Sequence, residues 1–139
     1  MPRAFLRGVP AALHPLHALL LAFPVALFPA ALLADLTYLD SAEMQWSNFA
    51  AWLIAGGVLF CGLACAWSLA RLAIRRPGGG WLALILALLF AAGLINSFQH
   101  SHDGWTSVGT MGLVLSVISA ALALAAGWIG YSAPREARP

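Results

Sequence analysis

The stretch PLHALLLAFPVALFPAALLADLTY, residues 15–38, decides what kind of protein this is. Apart from a His near its start and an Asp near its end, it is almost entirely apolar. A membrane helix needs about 20 mostly apolar residues to cross roughly 30 Å of hydrocarbon. The part from about Leu16 to Tyr38 meets that requirement, so we expect it to form a first membrane span.

Three further apolar stretches follow, at about residues 49–72, 81–98 and 107–131. The segments between them are short, and short connections make consecutive helices antiparallel. The sequence therefore predicts an all-α fold, a single domain over residues 1–139 that forms an integral membrane four-helix up-down-up-down bundle. The composition agrees, because only 9% of the residues are charged, whereas soluble domains carry about 25%.

Charge separates the two ends of this predicted bundle. With four alternating spans, all seven basic residues fall at one end: Arg3, Arg7, Arg71, Arg75, Arg76, Arg135 and Arg138. The other end holds four acids: Asp35, Asp40, Glu43 and Asp103. The positive-inside rule then predicts that both termini are cytoplasmic. The lipid bilayer is the expected partner, since a net charge of +2 is too small to indicate nucleic acid.

The N-terminal stretch has one alternative interpretation. Two arginines, an apolar run and small residues around 30–34 also resemble a cleaved signal peptide. The run is long and contains Pro24 and Pro29, so we expect it to remain as a span.

Small residues at a spacing of four mark the expected helix contacts, because helices in lipid associate where their backbones approach closely. Two such rows occur: Gly57, Cys61 and Cys65 in span two, and Gly112, Ser116 and Ala120 in span four. Two cysteines on one helix face do not suit disulfide geometry. We therefore interpret both cysteines as small packing residues.

Three segments resemble a known bacterial inner-membrane family of four-helix proteins, domain of unknown function 2231. They are residues 15–38, MQWSNFAAWLIAGG at 44–57 and INSFQHSHDGWTSVGTMGLVLS at 95–116. The resemblance implies a bacterial inner-membrane location and a set of characteristic polar residues: His17, Asp35, Asn96, His100, Asp103 and Trp105. The chain departs from the family in one respect, because WLALILALL at 81–89 lacks a further His that relatives carry early in span three.

Some relatives are joined to redox modules. That association suggests a non-catalytic accessory or electron-transfer subunit that works with a redox partner at the periplasmic face. No catalytic residues are predicted, because the sequence contains no G-x-G-x-x-G, P-loop or G-x-S-x-G motif.

The segment NSFQHSHDGW, residues 96–105, is the most polar part of an apolar region. On a continuous helix Asn96, Gln99, His100 and Asp103 share one face. Polar groups at membrane depth usually face the bundle interior or a wet cavity, so we expect this face to point inward. One interpretation is structural, with His100 and Asn96 bonding across helices and Asp103 capping span four.

A second interpretation is a b-type haem, with His100 as an axial ligand and Met44 or Met111 as the other. Asn96 and His17 complete the candidate cofactor residues. His17 cannot share an iron with His100, because the two lie at opposite ends of the bundle, on the order of 25 Å apart.

A third interpretation is a metal or proton site formed by His100, His102, Asp103 and Asp35. These side chains carry the donor atoms that Zn²⁺ or Cu²⁺ prefers, and His titrates near neutral pH. At the opposite end, His14 and His17 are either interfacial anchors or contacts to a quinone head group or a lipid phosphate.

Overall fold

The computed structural model describes residues 13–74, 79–101 and 108–132. They form four α-helices: α1 Pro15–Ser41, α2 Met44–Ala73, α3 Gly80–Ser101 and α4 Thr110–Tyr131. Each is long and apolar enough to cross a membrane. No strand occurs in the described ranges, and the predicted all-α class with four spans is confirmed.

The helices extend beyond the apolar stretches at several ends, most clearly at the α1–α2 connection. The first predicted span ends at Tyr38 and the second starts at about residue 49, but α1 continues to Ser41 and α2 begins at Met44. Ala42 ends α1 in the left-handed conformation, with φ of 55°, and its N–H bonds to the Tyr38 carbonyl at 2.7 Å. Hydropathy detects only the part of a helix that suits hydrocarbon, so it misses polar helical turns at the interface.

The start of α4 also differs from the prediction. Its N-cap is Gly109, which has an extended backbone and accepts the Leu113 N–H through its carbonyl at 3.0 Å. The cap predicted at Asp103 is therefore wrong, because the first helical turn begins at Thr110, well after that residue. Asp103 itself lies outside the described residues.

Each helix packs against two others, so α1–α2, α2–α3, α3–α4 and α4–α1 are neighbours and α1 lies diagonally across from α3. The interior is filled by a few large side chains and many small ones. Phe28 is 1% exposed, and its ring lies against Gly57 and Gly93, where an added Cβ would be 3.0 and 2.7 Å from it. Both predicted small-residue rows are buried: Gly57, Cys61, Cys65, Gly112, Ser116 and Ala120.

Large apolar side chains cover the outside of the bundle. The side chains with the largest exposed fractions include three tryptophans: Trp52 at 79%, Trp81 at 75% and Trp128 at 78%. In water such a surface would drive aggregation, whereas lipid tails solvate it. The fold therefore places its apolar surface outward and leaves a few polar side chains in its interior.

Candidate functional site

Four polar side chains from three helices meet inside the bundle near one of its ends. Asp35 comes from α1, Asn96 and His100 from α3, and Ser116 from α4; we call them the Asp35 cluster. Asn96 and His100 are four residues apart, so both project from the same side of α3. Asp35 and Asn96 are 0% exposed and Ser116 is 2% exposed.

The central contact joins the two diagonal helices. His100 Nε2 lies 2.9 Å from Asp35 Oδ1. The Ser116 hydroxyl donates to the second carboxyl oxygen, Asp35 Oδ2, at 2.5 Å, and it accepts from Asn96 Nδ2 at 2.9 Å. Both oxygens of a fully buried carboxyl group are thus bonded, which is the condition for keeping such a group inside a protein.

The other ring nitrogen of His100 determines where hydrogens can lie. Nδ1 is 3.0 Å from the backbone carbonyl of Asn96. A carbonyl oxygen only accepts, so Nδ1 carries a hydrogen and donates it. The Nε2–Oδ1 contact then also needs one hydrogen, which belongs either to an imidazolium facing a carboxylate or to a carboxylic acid facing a neutral imidazole. The pair therefore has two arrangements that differ only in the position of one proton.

Nearby acids differ from Asp35 in their surroundings. Asp40 and Glu43 are exposed on the same end of the bundle. Tyr38 is buried one helical turn beyond Asp35. Among the described residues, Asp35 is the one carboxyl group that is buried.

Several residues of the predicted inward face lie elsewhere. Gln99 is exposed, so the expectation that it faces inward is wrong; the polar face of α3 is narrower and contains Asn96 and His100. His102, Asp103 and Trp105 lie outside the described residues. Ser116 was interpreted from sequence as a packing residue only, and its hydrogen bond to Asp35 was missed. A serine within an otherwise apolar span is a weak signal, because small residues at helix contacts are common.

The predicted haem ligands do not come together. Both ring nitrogens of His100 are already bonded within the protein. Met44 and Met111 are 43% and 61% exposed, on the surface of the bundle. His17 lies about 27 Å from Asp35 along α1, at 1.5 Å per residue. These residues do not fit a haem in the observed arrangement.

Of the residues predicted to bind a metal ion, the described ranges bring together two, Asp35 and His100. No group of three His, Cys, Asp or Glu side chains is placed there to hold a metal ion. Asp35 and His100 face each other directly at 2.9 Å. That separation is a hydrogen bond and leaves no room for an ion between the two atoms.

A second polar group lies at the opposite end of the bundle. His17 is 2% exposed, and its Nε2 is 3.2 Å from the Ser68 hydroxyl oxygen on α2. The ring of Trp67 lies beside it, with centroids 6.3 Å apart, and the exposed His14 ring is 5.4 Å from the same indole. We call His14, His17, Trp67 and Ser68 the His17 cluster.

Comparison with known proteins identifies one family. The sequence model of a family described as a predicted membrane protein (DUF2231) matches residues 13–137. No curated protein and no solved structure matches the chain.

Proposed function

We propose that this chain, which belongs to the DUF2231 family of predicted membrane proteins, binds and releases protons within the lipid bilayer. The protein takes up and releases a proton at the Asp35–His100 pair, in exchange with the water at the near face of the membrane. This is a binding function without covalent chemistry.

One observation carries the proposal. Uptake and release change whether the Asp35–His100 contact contains its one hydrogen, because the geometry fixes the other hydrogen of the ring on Nδ1. Carboxyl and imidazole groups are the two side chains best suited to proton exchange near neutral pH. Ionisable residues within membrane spans are rare, since they are costly, and they commonly mark proton relays.

The location of the pair supports exchange with water. His100 is the residue before the last of α3, and Asp35 lies in the last two turns of α1. Both therefore lie near the end of the bundle, close to the interface. The proton is held in the 2.9 Å contact between His100 Nε2 and the buried carboxyl group of Asp35.

The proposal includes an orientation. We place the protein in the bacterial inner membrane with both termini in the cytoplasm, because in the sequence all seven arginines come before α1, between the last turn of α2 and the start of α3, or after α4. The Asp35 cluster then faces the periplasm. The family resemblance also suggested an electron-transfer role. The Asp35 cluster does not support that role, because the imidazole of His100 is hydrogen-bonded to Asp35.

Infrared spectra of the purified protein in lipid, recorded as a function of pH, test the proposal. We expect a carboxylate stretching band that shifts as the pH falls, because a hydrogen gained by His100 Nε2 is donated to Asp35 Oδ1. The band should vanish in Asp35→Asn, and it should persist in the matched control Asp40→Asn, because Asp40 is an exposed acid on the same helix.

The Ser116→Ala variant provides a check that does not remove the carboxyl group. Loss of the hydroxyl that donates to Asp35 Oδ2 should shift the frequency of the same band. If the wild-type spectrum contains no pH-dependent carboxyl band sensitive to Asp35→Asn or Ser116→Ala, the pair has a fixed proton and serves structure alone.

A further inference from the structure

The His17 cluster contains two nitrogen atoms that need a partner. His17 Nδ1 and Trp67 Nε1 are buried, and neither has a hydrogen-bond partner in the described part of the chain. In the tautomer that we assign, the Ser68 hydroxyl donates to His17 Nε2 at 3.2 Å, and Nδ1 carries the hydrogen. Both nitrogens are then donors, because an indole N–H can only donate. A buried donor without an acceptor is costly, so the pair indicates an acceptor supplied from outside the chain.

The charge at this end indicates what kind of acceptor. Arg71 is partly buried on α2, one turn beyond Trp67 and Ser68. The amino end of α1 also points here, and helix amino ends attract anions. The acids of the described residues, Asp35, Asp40 and Glu43, all belong to the other end of the bundle. An anionic oxygen accepts hydrogen bonds from both donors and balances the positive charge of Arg71.

We propose that the His17 cluster, together with Arg71, binds the phosphate group of an anionic phospholipid. His17 lies in the first turn of α1, which begins at Pro15, and therefore at the depth of lipid headgroups. Basic pockets between membrane helices are known to take phosphate-bearing headgroups. Trp67 Nε1 and His17 Nδ1 donate to phosphate oxygens, and the guanidinium of Arg71 supplies the charge.

His14 is the exposed member of the cluster. Its ring packs 5.4 Å from the Trp67 indole, and its Nδ1 accepts the Leu16 N–H at 3.2 Å as the N-cap of α1. Its side chain is exposed, so it can rotate away at the loss of that one hydrogen bond. A headgroup that approaches from the interface then reaches the two donors.

Native mass spectrometry of the detergent-solubilised full chain, titrated with phosphatidylglycerol or phosphatidylcholine, tests this proposal. We expect phosphatidylglycerol to be retained in preference to the zwitterionic lipid. Trp67→Phe keeps the ring and removes the N–H, and Arg71→Gln removes the charge. Each should weaken phosphatidylglycerol binding about tenfold, the usual effect of losing a hydrogen bond to a charged group.

Tyr131→Phe is the matched control. It removes a hydroxyl at the same end of the bundle, where Tyr131 bonds to the Ala18 carbonyl at 2.9 Å, and it should leave lipid binding unchanged. Equal binding of the two lipids, or an equal loss in all three variants, would overturn the proposal. Displacement of phosphatidylglycerol by millimolar inorganic phosphate would overturn the lipid assignment and indicate a soluble phosphate compound.

Discussion

Replacement of Asp35 by alanine is expected to lower the free energy of unfolding by about 3–5 kcal/mol, the usual effect of removing one partner from a buried pair. Asp35 is 0% exposed, and its two oxygens bond to His100 and Ser116. Its removal leaves an imidazole facing an apolar space and frees a hydroxyl. The measurement is an unfolding titration by steric trapping in bicelles.

Two further variants should lower the free energy of unfolding by less than Asp35→Ala does. Asp35→Asn retains the size and some of the hydrogen bonds, so we expect a loss of about 1–3 kcal/mol. Asp40→Ala removes an exposed acid and should change stability by less than about 0.5 kcal/mol. A neutral hydrogen bond within a membrane protein contributes only about 0.6 kcal/mol on average. An Asp35→Ala loss near that value would contradict a tightly held pair at this position.

The second expectation concerns replacement of the whole Asp35 cluster. A variant with Asp35→Leu, Asn96→Leu, His100→Leu and Ser116→Ala should fold with wild-type stability or better. Well-packed apolar residues of similar volume often match or exceed a buried ion pair, by about 1–4 kcal/mol. The same variant should lose the pH-dependent carboxyl band completely, because it contains no buried acid among the described residues.

This comparison separates proton handling from a structural role. If the polar residues are kept for stability alone, the apolar variant should unfold far more readily than the wild type, in the same steric-trapping assay. A stable apolar variant without the titrating band shows instead that the bundle does not need the cluster in order to fold. Asn96 is included because its Nδ2 would otherwise lose its acceptor, Ser116.

The four spans could be predicted from sequence because hydrocarbon thickness sets the length of an apolar run. The helix ends could not, because hydropathy does not distinguish a polar helical turn, such as residues 39–41 at the end of α1, from a polar connection. The polar face at Asn96 and His100 follows from helical spacing. Gln99 showed the limit of that argument, since the rotation of α3 against its neighbours decides which part of a polar face is buried.

The partner of His100 was not evident from the sequence. Asp35 is 65 residues away, and α1 and α3 are diagonal in the bundle, so short connections alone do not predict that their side chains meet. The contact between His17 and Ser68 spans 51 residues and depends on the relative depth of α1 and α2. Such depths arise from packing around side chains such as Phe28, and no local pattern in the sequence encodes them.

The proton positions on His100 are read most directly by nitrogen NMR of the protein in lipid, with isotopically labelled histidine and His100→Gln to assign the signals. Nδ1 should remain protonated at every pH, because it faces the Asn96 carbonyl. Nε2 should change from protonated to unprotonated as the pH rises, and in Asp35→Asn it should stay unprotonated over the same range. An unprotonated Nδ1, or an Nε2 signal that does not respond to pH in the wild type, would contradict a shared proton between Asp35 and His100.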